Sequence, residues 1–167
     1  MKPIVINVEA SGKQAGAYPV EVGVVMEDGG SYCVLVKPEA DWTHWESEAE
    51  ECHGLNRELL FRCGQSVVTV AHQLNTLLDG RTVYSNAWAQ DAAWLDMLFE
   101  HAGHKRLFRV DSLRSLMSEH QFLHWPAAKA EVIKVLKMPR RRASADARVL
   151  QMAVEECLNT YRAMKLA

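Results

Sequence analysis

No run of apolar residues in this sequence approaches the ~20 needed to cross a bilayer, so it offers no membrane-spanning helix. The opening MKPIVINVEAS has an apolar run broken at Asn7, too short for the core of a secretory signal. The expected setting is cytoplasmic, nucleoid association included. The four cysteines, Cys33, Cys52, Cys63 and Cys157, contain no C-x-x-C pair and no zinc-ligand spacing. They read as free thiols of a reducing compartment. A G-x-S-x-G elbow, a P-loop and a dinucleotide fingerprint are all missing, which removes the commonest serine-hydrolase and nucleotide-binding signatures. Charge of one sign is missing as well. With a formal net charge of −2, any binding of a polyanion must rest on a local basic patch. Repeats, linkers and low-complexity stretches are absent, and 167 residues suit a single domain spanning 1–167.

The first third of the chain has the look of strands. Ile4 to Val8 is short, apolar and rich in β-branched residues, with Asn7 as its one polar interruption. Val20 to Met26 is a second strand, Glu27-Asp28-Gly29-Gly30 a hairpin turn, and Ser31 to Val36 the returning strand before Lys37-Pro38. Helical spacing then takes over. Val67, Val70, Ala71, Leu74, Leu77 and Leu78 form one apolar stripe that ends at Asp79-Gly80. Thr82-Val83-Tyr84 is a short strand, Asp91 to His101 a helix, and Leu107 to Val110 a last strand. Asp111 is placed to cap a helix carrying Leu113, Leu116 and Met117. Lys129 to Lys137 and about Ala143 to Met164 complete the helices. A meander followed by alternating helices and strands predicts one α/β domain with a mixed sheet and Ile4–Val8 at its centre.

Asn7 and Glu9 lie two apart on one strand and share a face. Asp91 opens a helix after a strand, and Asp146 sits in the first turn of the last helix. Taken singly, each acid fits a solvated or capping role, because helix N-termini favour negative charge.

Their order along the chain is more informative. INVEASG is similar to the Asp-x-Glu motif of the DEDDh 3′–5′ exonuclease family, with asparagine in the first acidic place. YPVEVGVV resembles that family's second strand, and CHGL at Cys52 to Leu55 its His-Gly-Ile segment. VYSNAWAQDAAWLDMLFE resembles the second motif, with Asp91 as the third acid. RRASADARVL resembles His-x-Ala-x-x-Asp-Ala, with Arg141 in the histidine place and Asp146 as the last acid.

The resemblance covers nearly the whole chain and implies an RNase H-like, mixed five-stranded sheet flanked by helices. It implies two Mg²⁺ or Mn²⁺ ions held by Glu9, Asp91 and Asp146, with Asn7 a weaker fourth ligand. It also implies hydrolysis of the terminal phosphodiester at the 3′ end of single-stranded DNA or RNA, with Asn7, Glu9, Asp91, Arg141 and Asp146 as the catalytic positions. Ala10, Ser11 and Trp88 are expected at the terminal nucleotide, and Arg140 and Arg142 on its phosphates. A homodimer is compatible with the sequence, and no membrane partner is expected.

Two departures bear on chemistry. Asn7 offers a neutral carbonyl oxygen where a carboxylate is usual. Arg141 carries a guanidinium that stays protonated at cellular pH and cannot serve as a base. It is able instead to pair with Glu9 or Asp146, or to clamp a phosphate. Gln90 also stands where the family has a phenylalanine, so a different local loop is expected around Asp91. The residues leave three readings open: a binding module without hydrolysis, weak catalysis, or, for Asn7 alone, an introduced Asp-to-Asn change. The acidic stretch WTHWESEAEE reads as a structural or partner-facing loop, Trp94 as core and His53 as a structural histidine. A protein-interaction domain using that acidic loop is the remaining alternative.

Overall fold

A computed structural model describes residues 2–137 and 141–166, with side chains to residue 159. Its centre is one five-stranded sheet in the order β3-β2-β1-β4-β5. The strands are β1 (Val5–Ala10), β2 (Pro19–Val25), β3 (Ser31–Leu35), β4 (Thr82–Ser85) and β5 (Arg109–Ser112). β1 to β3 form the antiparallel meander, and β4 and β5 run parallel to β1. The mixed sheet with β1 central, flanked on both faces by helices, is the arrangement that the sequence implies.

Alternation along β1 divides the core. Ile4, Ile6 and Val8 join one apolar cluster with Leu74, Leu95, Leu98 and Phe99. These come from α3 (Val67–Leu78) and α4 (Trp88–His101). Val5 and Val25 join the other cluster with Trp125, Val132, Val149, Leu150 and Val154. Those belong to α6 (Trp125–Leu136) and α7 (Ala143–Leu166). Because side chains on a strand alternate, Asn7 and Glu9 continue the Val5 face toward the start of α7. Gly23 pairs with Asn7 across the ladder. A β-carbon on Gly23 would collide with the backbone of Ala143 and Ser144, so glycine lets α7 begin directly against β2. The register shifts between Glu9 and Ala10, a bulge that ends regular pairing beside the site.

Several local expectations change. The acidic stretch is not all loop: α1 (Ser47–His53) begins within it and ends at Gly54, which takes φ +71° as its left-handed cap. α2 (Arg57–Cys63) follows, capped by Asn56. Both are seven residues long, too short to show a periodic stripe. Asp111 lies in β5 rather than at a helix start. Ser112 caps the next turn, a 3-10 segment at Leu113–Leu116 instead of an α-helix. α5 (Glu119–Leu123) is closed by a Ser118–Gln121 capping box. α4 starts at Trp88 rather than Asp91, which places Trp88 and Gln90 in a helix and not a loop. Cys157 is buried, and Cys33, Cys52 and Cys63 are exposed and unpaired. No helix among the described residues is long and apolar enough to cross a membrane.

Candidate functional site

The end of β1, the first turn of α4 and the first turn of α7 meet at one place. Asn7 Nδ2 donates to Glu9 Oε1 at 3.0 Å. Asp91 is almost fully buried, and its Oδ2 accepts from Ser85 Oγ at 2.6 Å. Ser85, the last residue of β4, in turn accepts from the Ala87 N–H at 3.0 Å, which fixes the approach to α4. Just before α7, Arg141 Nε donates to Oδ2 of Asp146 in that helix's first turn at 3.0 Å. Two adjoining cavities share Asn7, Cys52, Ala87 and Arg141 as a common wall. One, of about 440 Å³, is lined by Glu9, Ala10, His53, Asp91 and Trp94. The other, of about 460 Å³, holds Asp146 and is lined by Lys129, Ile133, Val149 and Leu150. Asn7 and Arg141 thus line both cavities, Glu9 and Asp91 only the first, and Asp146 only the second.

Electrostatics there are unusual for acids. Burial pushes the Glu9 carboxyl up to about 7, and the charge of Asp146 adds to the effect. Arg141 and the Asn7 amide oppose it. Burial likewise raises Asp91 to about 7, with Glu9 contributing, against the hydrogen bond from Ser85. The hydrogen bond to Asp146 raises Arg141 further, so its charge is permanent. Near neutral pH the site therefore holds one fixed cation, one paired carboxylate and two carboxyls that share protons with solvent.

Both raised carboxyls bind protons in the folded chain that the unfolded chain has already released. Their effect on stability is most favourable below the unfolded values of about 4 and declines as pH rises through about 7. Asp91→Asn removes the buried charge while keeping an oxygen for Ser85. It should stabilise the protein at pH 8 by about 2 kcal/mol and change little at pH 5. Thermal unfolding at the two pH values reads this. A variant that melts earlier than the parent at pH 8 would show that Asp91 is not held against its charge.

The two-ion centre implied by the resemblance does not fit these residues. Hard cations need converging anionic oxygens. Here the Asn7 amide is turned onto Glu9, and Asp146 is paired with Arg141. Among the described residues no three His, Cys, Asp or Glu side chains gather closely enough to hold a metal ion.

Other expected site residues divide. Ala10 lines the first cavity. Ser11 is fully buried, and its Oγ accepts from the Tyr18 N–H at 3.1 Å, so the hydroxyl is committed within the fold. Trp88 is half exposed and lines neither cavity. Arg142 lines neither cavity: its Nε lies 2.9 Å from Glu21 Oε1, and its Nη2 donates to the same carboxylate. Arg140 lies outside the described residues. Arg148 reaches the β2–β3 turn at Ser31. His53 is buried, accepts from the Leu55 N–H through Nδ1, and leaves Nε2 without a partner. Trp94 packs on the core and also borders the first cavity. Trp42 is core, stacked on Tyr18, while Glu46 binds the backbone N–H groups of Lys13 and Gln14.

Sequence reasoning missed Lys129, Cys52 and Glu21. Glu21 is completely buried and accepts from Arg142 and, at 2.8 Å, from the Ala143 N–H. It is the only charged residue in an otherwise apolar strand, and that isolation was the available signal. Burial works against its ionised form, but Arg142, Ala143 and Cys33 together hold its carboxyl below the usual range. The clamp fixes the segment that carries Arg141.

No family model and no curated protein sequence matches the chain. Solved structures do. Exonuclease I from Methylocaldum szegediense superposes with a TM-score of 0.72 at 12% identity, over 95% of this chain and 40% of its own. The chain has the exonuclease, RNase H-like fold. E. coli exonuclease I in complex with a 5cy-dA13 oligonucleotide gives a TM-score of 0.68 at 11% identity, over 94% of this chain and 40% of its own. A zinc-bound form of the E. coli exonuclease I complex with single-stranded DNA gives 0.62 at 12% identity, over 97% and 41%. The chain spans about two fifths of the length of these exonucleases.

Proposed function

We propose that this protein binds the 3′ end of single-stranded nucleic acid on an exonuclease scaffold and does not hydrolyse it. The observation that carries the reading is the ion pair of Arg141 with Asp146 at 3.0 Å. A permanent cation sits where hydrolysis would call for a base, and it occupies an acid that hydrolysis would require free. Asn7 bonded to Glu9 removes a second anionic oxygen. What remains is a depression with a fixed positive charge, walls of apolar side chains, and carboxyls that are half protonated near neutral pH. Such a site has the means to hold a phosphate and a base without the means to activate water. Structural neighbours solved with single-stranded oligonucleotides support the choice of ligand class.

A fluorescently labelled single-stranded oligonucleotide, titrated by anisotropy, tests this. One or two phosphate contacts give a slope of log affinity against log salt between about −0.7 and −1.4. Arg141→Glu should weaken binding at least about tenfold, because a charge-assisted contact is replaced by repulsion. The oligonucleotide should stay intact after long incubation with Mn²⁺. Trimming that disappears with Glu9→Gln would replace this reading with slow hydrolysis.

A further inference from the structure

We infer that the cavity between α6 and α7 is the seat of a nucleoside 5′-phosphate unit, with the base against Ile133, Val149 and Leu150 and the phosphate between Lys129 and Arg141. The inference rests on the nucleic-acid reading and says which of the two cavities receives the nucleotide. Charge separates them. The cavity beside β1 contains Glu9, Glu46, Glu48 and Asp91 against Lys13 and Arg141. Glu46 is kept ionised by the Gln14 and Lys13 N–H groups, so that wall stays negative. The α6–α7 cavity contains Lys129 and Arg141 against a single acid, Asp146, already paired with Arg141. The acids lining the first cavity repel a phosphate, and the second cavity, with two cations against one acid, attracts it.

Shape and composition agree with charge. The α6–α7 cavity measures about 460 Å³, within the ~300–1,000 Å³ of small-molecule sites. Its apolar wall includes Ile133, which leaves 47% of its surface exposed on a helix whose inner face is already satisfied by Trp125, Ala128 and Val132. A planar base covers such a surface. Asn86, exposed at the same rim, supplies an amide able to donate to and accept from a base edge. Lys129 projects from α6 one turn before Ile133, so the cation and the apolar wall lie on one helix face.

Calorimetry of the whole chain with adenosine 5′-monophosphate, adenosine and inorganic phosphate tests the assignment, alongside anisotropy with the labelled oligonucleotide. The monophosphate should bind more tightly than adenosine or phosphate alone. Lys129→Glu should weaken it about tenfold and leave adenosine nearly unaffected. Ile133→Gln should weaken both the monophosphate and adenosine about fivefold. Both positions are at the surface, and circular dichroism verifies that each variant is folded. Undiminished monophosphate affinity in both variants would overturn the inference. So would oligonucleotide binding that neither variant disturbs, and in that case strand-end binding stands and the cavity assignment alone fails. Monophosphate binding that both variants weaken, with no oligonucleotide binding, would keep the cavity assignment and overturn strand-end binding, leaving the free mononucleotide as the ligand.

Discussion

The double change Asn7→Asp with Arg141→His should produce Mn²⁺-dependent release of nucleotides from a single-stranded oligonucleotide, at least about 10³-fold above the unchanged protein. Each half addresses a different deficit. Asp at position 7 restores an anionic oxygen beside Glu9, where the amide now donates instead of ligating. His at position 141 releases Asp146 from its guanidinium partner and supplies a group that titrates near neutrality. Either change alone leaves the other deficit in place, so each single variant should recover far less than the pair. The added carboxylate also crowds Glu9 and Asp91, both already shifted to about 7, chiefly by burial. The double variant should therefore melt earlier than the parent without metal and recover when Mn²⁺ is added. A folded double variant with no activity and no response to Mn²⁺ would mean that the acids are held in a geometry that restoring charge does not repair.

The second large effect concerns stability. Arg142→Ala strips the main counter-charge from Glu21, whose side chain is fully buried. In the parent, Glu21 titrates below its ordinary value, so its contribution is present above that value and lost only as pH falls through the depressed one. Without Arg142, burial dominates and the sign reverses: the folded state disfavours the ionised form. The loss should be about 2–3 kcal/mol at pH 8, under the 3–5 of a fully buried pair because Arg142 is half exposed. At pH 5 the loss should shrink as Glu21 takes up a proton. Adding Glu21→Gln to Arg142→Ala should recover part of the stability at pH 8. Denaturant unfolding at both pH values gives the answer, and an equal loss at each would show that packing, not charge, carries the contact.

How much of this was readable from the chain depends on what each feature rests on. β1, β2, β3 and α3 follow from β-branched runs and one periodic stripe, which local pattern encodes directly. α1, α2 and α5 were not visible, because five to seven residues show too little periodicity, and their ends are set by Gly54, Asn56 and Ser118. The order of Glu9, Asp91 and Asp146 pointed to one site; β1 and α4 bring Glu9 and Asp91 to one cavity, and α7 brings Asp146 to the adjoining one. The arginines were harder. Arg142 was expected on phosphate and instead pairs with Glu21, while Arg141 takes Asp146, one of the two acids within its expected reach. Adjacent side chains diverge where a helix begins, and the partner at Glu21 is more than a hundred residues away, beyond the reach of any local pattern. Lys129 joined the site only when α6 packed on α7.

In the proposed binding mode, fixed side-chain charge takes the part that divalent ions would play. Binding of the labelled oligonucleotide to the unchanged protein, compared in EDTA and in Mn²⁺, tests it most directly. Equal affinity in the two solutions, within about twofold, is the result expected if Arg141 supplies the positive charge. Binding that collapses in EDTA and returns with Mn²⁺ would contradict it.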